Sequence, residues 1–360
     1  MKKINSFEYG TLIWFLIRAC FIVSSASLII SISDEESWFS IIIGTLIGII
    51  PFLIYEYLKK KFPNQNIIEI NQKLFGKIGY ILNFVMCLTL LVFIIITFWM
   101  LTNFINTQFL YKTPFLVVAL ALILPIAYIN FKGIKVIGKV SLLSFYISFV
   151  FIILILSGII SGIYIDNIKP FFVHTPNEIL YSALIFFSFN VLPIFLLTII
   201  PKNQITNYSS KKNFLFYIFA CLSLLNVIFM TITIFGIGLS SIYEYPCFEI
   251  LKRVSILDII DRVESILTIE WILALFIIIS MILYFLKESF KTTFKNIKKI
   301  DKKGNYFVIV VSLITLIVSS IIFLTNGMEL EFFKGPFIYL AIFSFVLLPI
   351  ITALKAKFSS

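Results

Sequence analysis

The chain has 360 residues, 60% hydrophobic and only 13% charged, with a formal net charge of +11 and a mean hydropathy of +1.07. No water-soluble fold covers that much apolar surface, so the bilayer is the solvent. A basic excess can serve nucleic acid, but here it lies in short loops beside apolar stretches, where it meets anionic lipid headgroups and sets topology, so nucleic acid is excluded as a partner.

Ten mostly uncharged stretches follow one another at 9–32, 38–58, 80–107, 115–131, 138–163, 179–199, 214–240, 265–286, 305–325 and 335–354. Each is long enough to cross a bilayer core as a helix. The sequence therefore predicts an all-α membrane protein with ten transmembrane helices in a single domain, residues 1–360. The start of the chain resembles a signal peptide, but the first stretch is too long, holds Arg18 and lacks an A-x-A cleavage site, so a retained first helix is expected.

Span 1 carries two features of interest. Arg18 lies about 13 Å along the helix at 1.5 Å per residue, where an unpaired charge is costly. It is read as facing an aqueous inner vestibule, the alternative being a stem that snorkels to the inner headgroups beside Glu56. Further on, Ser24-Ser25-Ala26-Ser27 is a run of small and hydroxyl residues. An acidic loop, Asp34 to Glu36, leads to span 2. The loops at 59–79 and 241–264 are the longest between spans, and Asn66 to Phe75 and Phe248 to Val254 place apolar residues at i, i+3 and i+4, as interfacial helices do. Thr97 is a polar residue within span 3. His174, the single histidine, is expected to be a solvated loop residue. Span 6 contains Ser188-Phe189-Asn190 followed by Pro193, whose missing N–H weakens the helix. Glu270, at the outer end of span 8, is expected to be a solvated interfacial anchor, and no span is expected to bury an Asp or Glu fit for a proton relay.

Basic residues alternate sides along this series. With the N-terminus in the cytoplasm, the termini and even-numbered loops hold 22 of the 29 Lys and Arg, Lys139 being counted with the fourth loop it adjoins, and the odd loops hold 6. That is the positive-inside pattern, and it puts both termini in the cytoplasm. A split into five plus five spans, 1–163 and 179–354, makes the long loops fall at the same place in each half on opposite faces, as an inverted-topology repeat requires. In such repeats the first helix of each half is interrupted at mid-membrane, freeing backbone groups to hold a solute. The candidate ligand site is therefore Ser24, Ser25, Ala26 and Ser27 of span 1 with Ser188, Phe189 and Asn190 of span 6, completed by Thr97.

Enzyme chemistry has little support. There is no H-E-x-x-H, G-x-S-x-G or phosphate-binding loop, and Cys20, Cys87, Cys221 and Cys247 have neither disulfide nor metal spacing, so no catalytic residue, metal or cofactor is expected.

Several signatures occur in order along nearly the whole chain. They are Trp38 opening span 2, Lys61-Phe62-Pro63 followed by Ile68-Glu69, Phe187-Ser188-Phe189 running to Pro201-Lys202, Pro246 with Glu249-Ile250-Leu251-Lys252, and Asp261-Arg262-Val263-Glu264 leading to Trp271. Together they resemble the spore-germination receptor B-subunit family, the GerAB/GerKB-type permeases of the amino acid, polyamine and organocation transporter superfamily. The chain departs from the family pattern in span 1, where Val23-Ser24-Ser25-Ala26 stands with no proline until Pro51, and in span 6, where Asn190 and Pro193 stand in the region of an acidic residue. The resemblance implies a LeuT-like 5+5 fold in the bacterial cytoplasmic membrane or spore inner membrane. It also implies a small nutrient ligand such as an amino acid, and partnership with an A-type membrane subunit and a C-type lipoprotein. An ion-coupled amino-acid permease and a non-binding membrane scaffold remain as alternatives.

Overall fold

Polar residues placed ahead of apolar runs decide where several helices begin. Asn5 accepts the Glu8 N–H at 2.7 Å while Glu8 accepts the Asn5 N–H, and the same reciprocal capping box joins Asn66 to Glu69 and Thr175 to Glu178. Each box satisfies backbone donors that a helix start leaves unpaired. A computed structural model describes residues 3–159, 163–169, 173–253, 264–322 and 335–358. The described residues are helical apart from turns, connecting loops and two short strands, β1 (Ile4–Asn5) and β2 (Ile205–Thr206), which pair in parallel.

Span 1 is composite. It consists of α1 (Ser6–Arg18), a π-helical turn (Phe21–Ser25) and α2 (Ala26–Ser33). A 3-10 turn at Asp34–Glu36 leads to α3 (Ser37–Lys61), followed by α4 (Ile67–Phe75), α5 (Lys77–Gln108), α6 (Phe115–Lys132) and α7 (Ile134–Ile159). Span 6 is composite again, with α8 (Pro176–Phe186), a π-helical turn (Phe187–Val191) and a 3-10 segment (Leu192–Ile199). Then come α9 (Ser210–Ser240), α10 (Pro246–Glu249), α11 (Glu264–Thr293), α12 (Ile300–Ile322), α13 (Pro336–Ile342) and, after a π-helical turn at Phe343–Leu347, α14 (Leu348–Phe358). Among the described residues, eight helical stretches are long and apolar enough to cross a membrane, from Ala26–Lys61 to Pro336–Phe358. A helix does form over the stretch 66–75: it is α4, capped by Asn66. The one expected at 248–254 is shorter: α10 gives way to a 3-10 turn over Ile250–Arg253, and Val254 lies outside the described residues.

Contacts between loops sort the bundle into two ends. At one end β1 pairs with β2, the Asn203 N–H donates to Pro63 O at 3.0 Å, Asn66 Nδ2 donates to Thr292 Oγ1 at 3.1 Å, and Lys61 Nζ donates to Ala356 O. The N-terminus, the second, sixth and eighth loops and the C-terminal helix thus share the lysine-rich end. At the other end Glu36 accepts the backbone N–H groups of Val173 and His174, and Asn167 Nδ2 donates to Thr233 O at 2.9 Å.

Apolar side chains face both ways, as they must where lipid replaces water. Leu46, Ile50 and Leu53 on α3 and Ile78, Ile81 and Phe84 on α5 are exposed, while Phe98, Phe186, Phe189, Phe195 and Phe285 are fully buried. Packing inside is close. A Cβ at Gly48 of α3 would lie 2.4 Å from both Tyr217 Oη and Val191 Cγ1, so the small residue lets α3 reach the π turn of span 6. The third π turn, in the last span, precedes Pro349. That proline has no N–H for the Phe345 carbonyl four residues earlier, and Tyr55 Oη donates to this carbonyl instead.

Candidate functional site

Span 1 leaves α-helical geometry where small and hydroxyl residues enter it. The Ala19 N–H still reaches Phe15 O at 3.0 Å, but the Ser25 N–H turns to Cys20 O at 3.2 Å, five residues back. The break begins at Phe21, upstream of the Ser24-Ser25-Ala26-Ser27 run, so Ser24 and Ser25 lie in it and Ala26 and Ser27 open α2. In span 6, Ser188, Phe189 and Asn190 lie in the π turn, and the 3-10 segment containing Pro193 runs for eight residues. Isolated 3-10 runs rarely pass three or four residues, and π turns concentrate at functional sites.

One side chain joins the two breaks. Asn190 Nδ2 donates at 2.8 Å to Ile17 O, a carbonyl of the last turn of α1, while Asn190 Oδ1 accepts from Ser25 Oγ at 2.7 Å. The amide therefore satisfies a carbonyl that a helix end leaves without an intrahelical partner, and fixes the hydroxyl opposite. Ser24, Ser25, Ala26, Thr97, Ser188, Phe189 and Asn190 are all buried, and Ser27 is half-buried with its hydroxyl on Ser24 O at 2.9 Å. Phe189 stacks on Phe337 with centroids 4.9 Å apart. Ser188 Oγ is buried with no hydrogen-bond partner, an unsatisfied hydroxyl at the junction. Thr97 is turned elsewhere: its hydroxyl donates to Phe93 O of its own helix at 2.8 Å.

Arg18 corrects the sequence reading. It is 6% exposed and forms an ion pair with Glu270, Nε to Oε1 at 3.1 Å and Nη2 to Oε2 at 3.2 Å. Its Nη1 donates to Ser223 Oγ at 2.6 Å, Ser148 Oγ donates to Glu270 Oε1 at 3.2 Å, and the guanidinium lies 4.7 Å from the centre of the Trp14 ring. Neither a water-filled surrounding nor snorkelling describes this side chain, and Glu270 is a buried counter-ion rather than a solvated anchor. A fork of donors matched to a carboxylate offsets much of the cost of placing either charge away from water.

A second carboxylate is also buried, against the expectation that spans hold none. Glu56 accepts from Tyr208 Oη and Ser210 Oγ at 2.5 Å each and from Asn213 Nδ2 at 3.0 Å. One turn along, Lys59 donates to Tyr9 Oη at 2.7 Å and to Leu197 O at 2.8 Å, tying α1 to the 3-10 segment of span 6. Both residues line a cavity of about 20 Å³, room for one water. Sequence reasoning missed these partners because they come from helices far apart in the chain. The available signal was that Glu56 and Glu270 are the only acids within the apolar stretches.

His174 is likewise not a freely solvated loop residue. Nε2 lies 3.2 Å from Asp34 Oδ2 and Nδ1 lies 3.4 Å from Glu36 Oε2, so the ring sits between the acids that follow α2. Among the described residues no group of His, Cys, Asp and Glu is arranged to hold a metal, and the four cysteines are free.

The family model described as Spore germination protein (Spore_permease) matches residues 3–328. Spore germination protein KB of Bacillus subtilis (strain 168) is 22% identical over 277 residues, 74% of this chain and 72% of that protein. The putative spore germination protein YfkT of the same organism is 22% identical over 280 residues, 78% and 76% of the two chains. Among solved structures, the nucleobase-cation-symport-1 family transporter Mhp1, in a closed conformation with bromovinylhydantoin bound, superposes with a TM-score of 0.67 at 13% identity, over 98% of this chain and 78% of that one. A Na+-coupled sialic acid symporter in a substrate-bound outward-open state gives a TM-score of 0.59 at 11% identity, over 95% and 79%. A manganese transporter of Eremococcus coleocola gives 0.59 at 13% identity, over 97% and 78%. The fold is that of LeuT-like transporters, and the family and these neighbours are permeases and transporters rather than enzymes.

Proposed function

Because the chain belongs to the spore germination protein family, we propose that it is the solute-binding membrane subunit of a nutrient-germinant receptor, holding an amino acid or similar small solute between the breaks of spans 1 and 6. The observation that carries this reading is the Asn190 bridge, which brings the two interrupted helices together at a buried junction where Ser188 Oγ has no partner. Freed backbone groups of the breaks orient the solute's charged end, Ser24, Ser25 and Ser188 offer hydroxyls, and Phe189 closes the site. Ala26 and Ser27 flank the pocket on α2, and Thr97 joins it from span 3 only by releasing its hydrogen bond to Phe93 O.

The ten-span count and the 5+5 inverted repeat, 1–163 and 179–354, belong to the same proposal. They are supported by the matching composite helices at the start of each half and by the segregation of loops to two ends. The lysine-rich end faces the cytoplasm with both termini, the membrane is the spore inner membrane, and the receptor partners are an A-type membrane subunit and a C-type lipoprotein.

A permease is the second reading. Buried Glu270 and Glu56 favour it, since intramembrane carboxylates mark ion and proton pathways, and two of the structural neighbours bear names of cation-linked symporters.

One variant tests the pocket. Ser25→Trp fills the junction while leaving the spans apolar, so spores carrying it lose germination in response to nutrient yet retain the protein in the membrane. Uptake of labelled solute measured on the same variant separates the readings: loss of accumulation selects the permease, and a lost response without any accumulation in the parent selects the receptor. A normal nutrient response in Ser25→Trp removes the pocket and leaves a scaffold.

A further inference from the structure

At the lysine-rich end a cavity of about 290 Å³ opens between the α6–α7 turn, α11 and α12. Four lysines line it, Lys132, Lys135, Lys287 and Lys291, against two acids, Glu288 and Asp301. The acids are already engaged: Lys291 Nζ lies 3.1 Å from Glu288 Oε1 and 2.8 Å from Asp301 Oδ1. Lys287 Nζ, buried, donates to Asn130 O at 2.8 Å. Lys132 and Lys135 have no carboxylate within ion-pair distance among the described residues. The walls thus carry an excess of two positive charges in a recess about ten times the volume share of a water molecule. Gly133 stands between these two lysines, of which Lys132 lies 5.0 Å from the centre of the Tyr128 ring, at φ +83° with nothing within 4 Å of where a Cβ would be, so the mouth is open there.

We propose that this cavity is a binding site for a phosphate-bearing anion, of the size and charge of a phospholipid headgroup. A recess lined by one sign of charge concentrates counter-ions, and basic pockets between transmembrane helices hold anionic headgroups. Exposed Tyr128 and Phe131, on the α6 turns leading to the mouth, offer apolar surface to acyl chains. The general attraction of anionic lipid to loop lysines differs from this: Lys298, Lys299, Lys302 and Lys303 lie at the same end but do not line the recess.

The experiment uses the full chain purified in neutral detergent. Its thermal midpoint is followed on titration with phosphatidylglycerol, phosphatidylcholine, glycerol phosphate and inorganic phosphate. Phosphatidylglycerol is expected to raise the midpoint saturably and phosphatidylcholine to leave it unchanged. In Lys132→Gln/Lys135→Gln the apparent affinity falls roughly thirtyfold, as two headgroup-contacting lysines imply, whereas Lys298→Gln/Lys302→Gln, with the same change in net charge, binds as the parent does. Saturable stabilisation by inorganic or glycerol phosphate alone would assign a free anion to the same site. If the lysine variant does not fold, a Phe131→Trp reporter in the otherwise native chain is quenched more by brominated phosphatidylglycerol than by brominated phosphatidylcholine. Equal effects of the two lipids, or equal losses in the two lysine pairs, overturn the site.

Discussion

Two buried carboxylates in this protein are stabilised by opposite means. Glu270 meets a full positive charge, the Arg18 guanidinium, and a single added hydroxyl from Ser148. Glu56 meets no cation within ion-pair distance among the described residues, and three neutral donors, Tyr208, Ser210 and Asn213, surround its oxygens instead. The difference follows from depth in the fold. Glu270 is joined to the last residue of α1, beside the break in span 1, and is only 4% exposed. Glu56 sits one turn from the end of α3, beside a cavity with room for one water. A charge pair is therefore coupled to the helix break itself, whereas the hydrogen-bonded carboxylate anchors α3 to α9.

The largest effect that would break this comparison is at the ion pair. Arg18→Leu leaves Glu270 charged and unpaired and costs about 3–5 kcal/mol, whereas replacing both residues with leucine recovers most of that loss. Thermal unfolding of the two single variants and the double variant in detergent measures the coupling, and additive losses would show that the pair is not one unit. Asn190→Ala comes next. It strands Ile17 O and Ser25 Oγ in a buried junction, so a loss of about 1–3 kcal/mol is expected, together with a nutrient response weakened beyond that of Arg18→Lys, which keeps a cation beside Glu270. Glu56→Gln is milder. An amide retains an acceptor for Tyr208, and the change is expected to stay within about 1 kcal/mol; a loss as large as that of Arg18→Leu would mean that the charge of Glu56, and not its hydrogen bonding, is what the fold uses.

The smallest expected perturbation reads topology. Cysteines placed at exposed Ser241 and Asn296 leave stability unchanged, and an impermeant thiol reagent added outside labels only the first. Background from native thiols is low, since Cys20, Cys221 and Cys247 are buried, half-buried Cys87 lies within the apolar α5, and burial pushes the Cys247 thiol up to about 12. Labelling in the reverse sense inverts the proposed orientation and places Glu56 toward the outer face.

Much of the architecture is written locally. Helix starts at Asn5, Asn66 and Thr175 follow from capping residues within three positions of each other, and α4 follows from its apolar periodicity. The two composite spans lie where Ser24-Ser25 and Asn190 with Pro193 occur, because hydroxyls and a missing N–H weaken the helix ladder wherever the rest of the chain lies. The span 1 break starts three residues before the Ser24-Ser25-Ala26-Ser27 run, at Phe21, which bears no local mark of a π turn. The π turn at Phe343–Leu347 has no local mark either, although Pro349 lies just beyond it.

What the amino-acid sequence determines alone is membrane residence, the order of apolar helices and the charge alternation between loops, since hydropathy and positive charge act on the bilayer residue by residue. Family membership is also legible in it, through short signatures kept in order. Only the tertiary structure decides which polar groups meet. Arg18 and Glu270 are 252 positions apart, Ser25 and Asn190 are 165, and His174 and Asp34 are 140. Each of these side chains, considered alone, has water or lipid headgroups as an alternative partner. Helix packing removes the water and supplies the counter-group in one step, and that step depends on close contacts such as Gly48 against Val191 that no local pattern encodes.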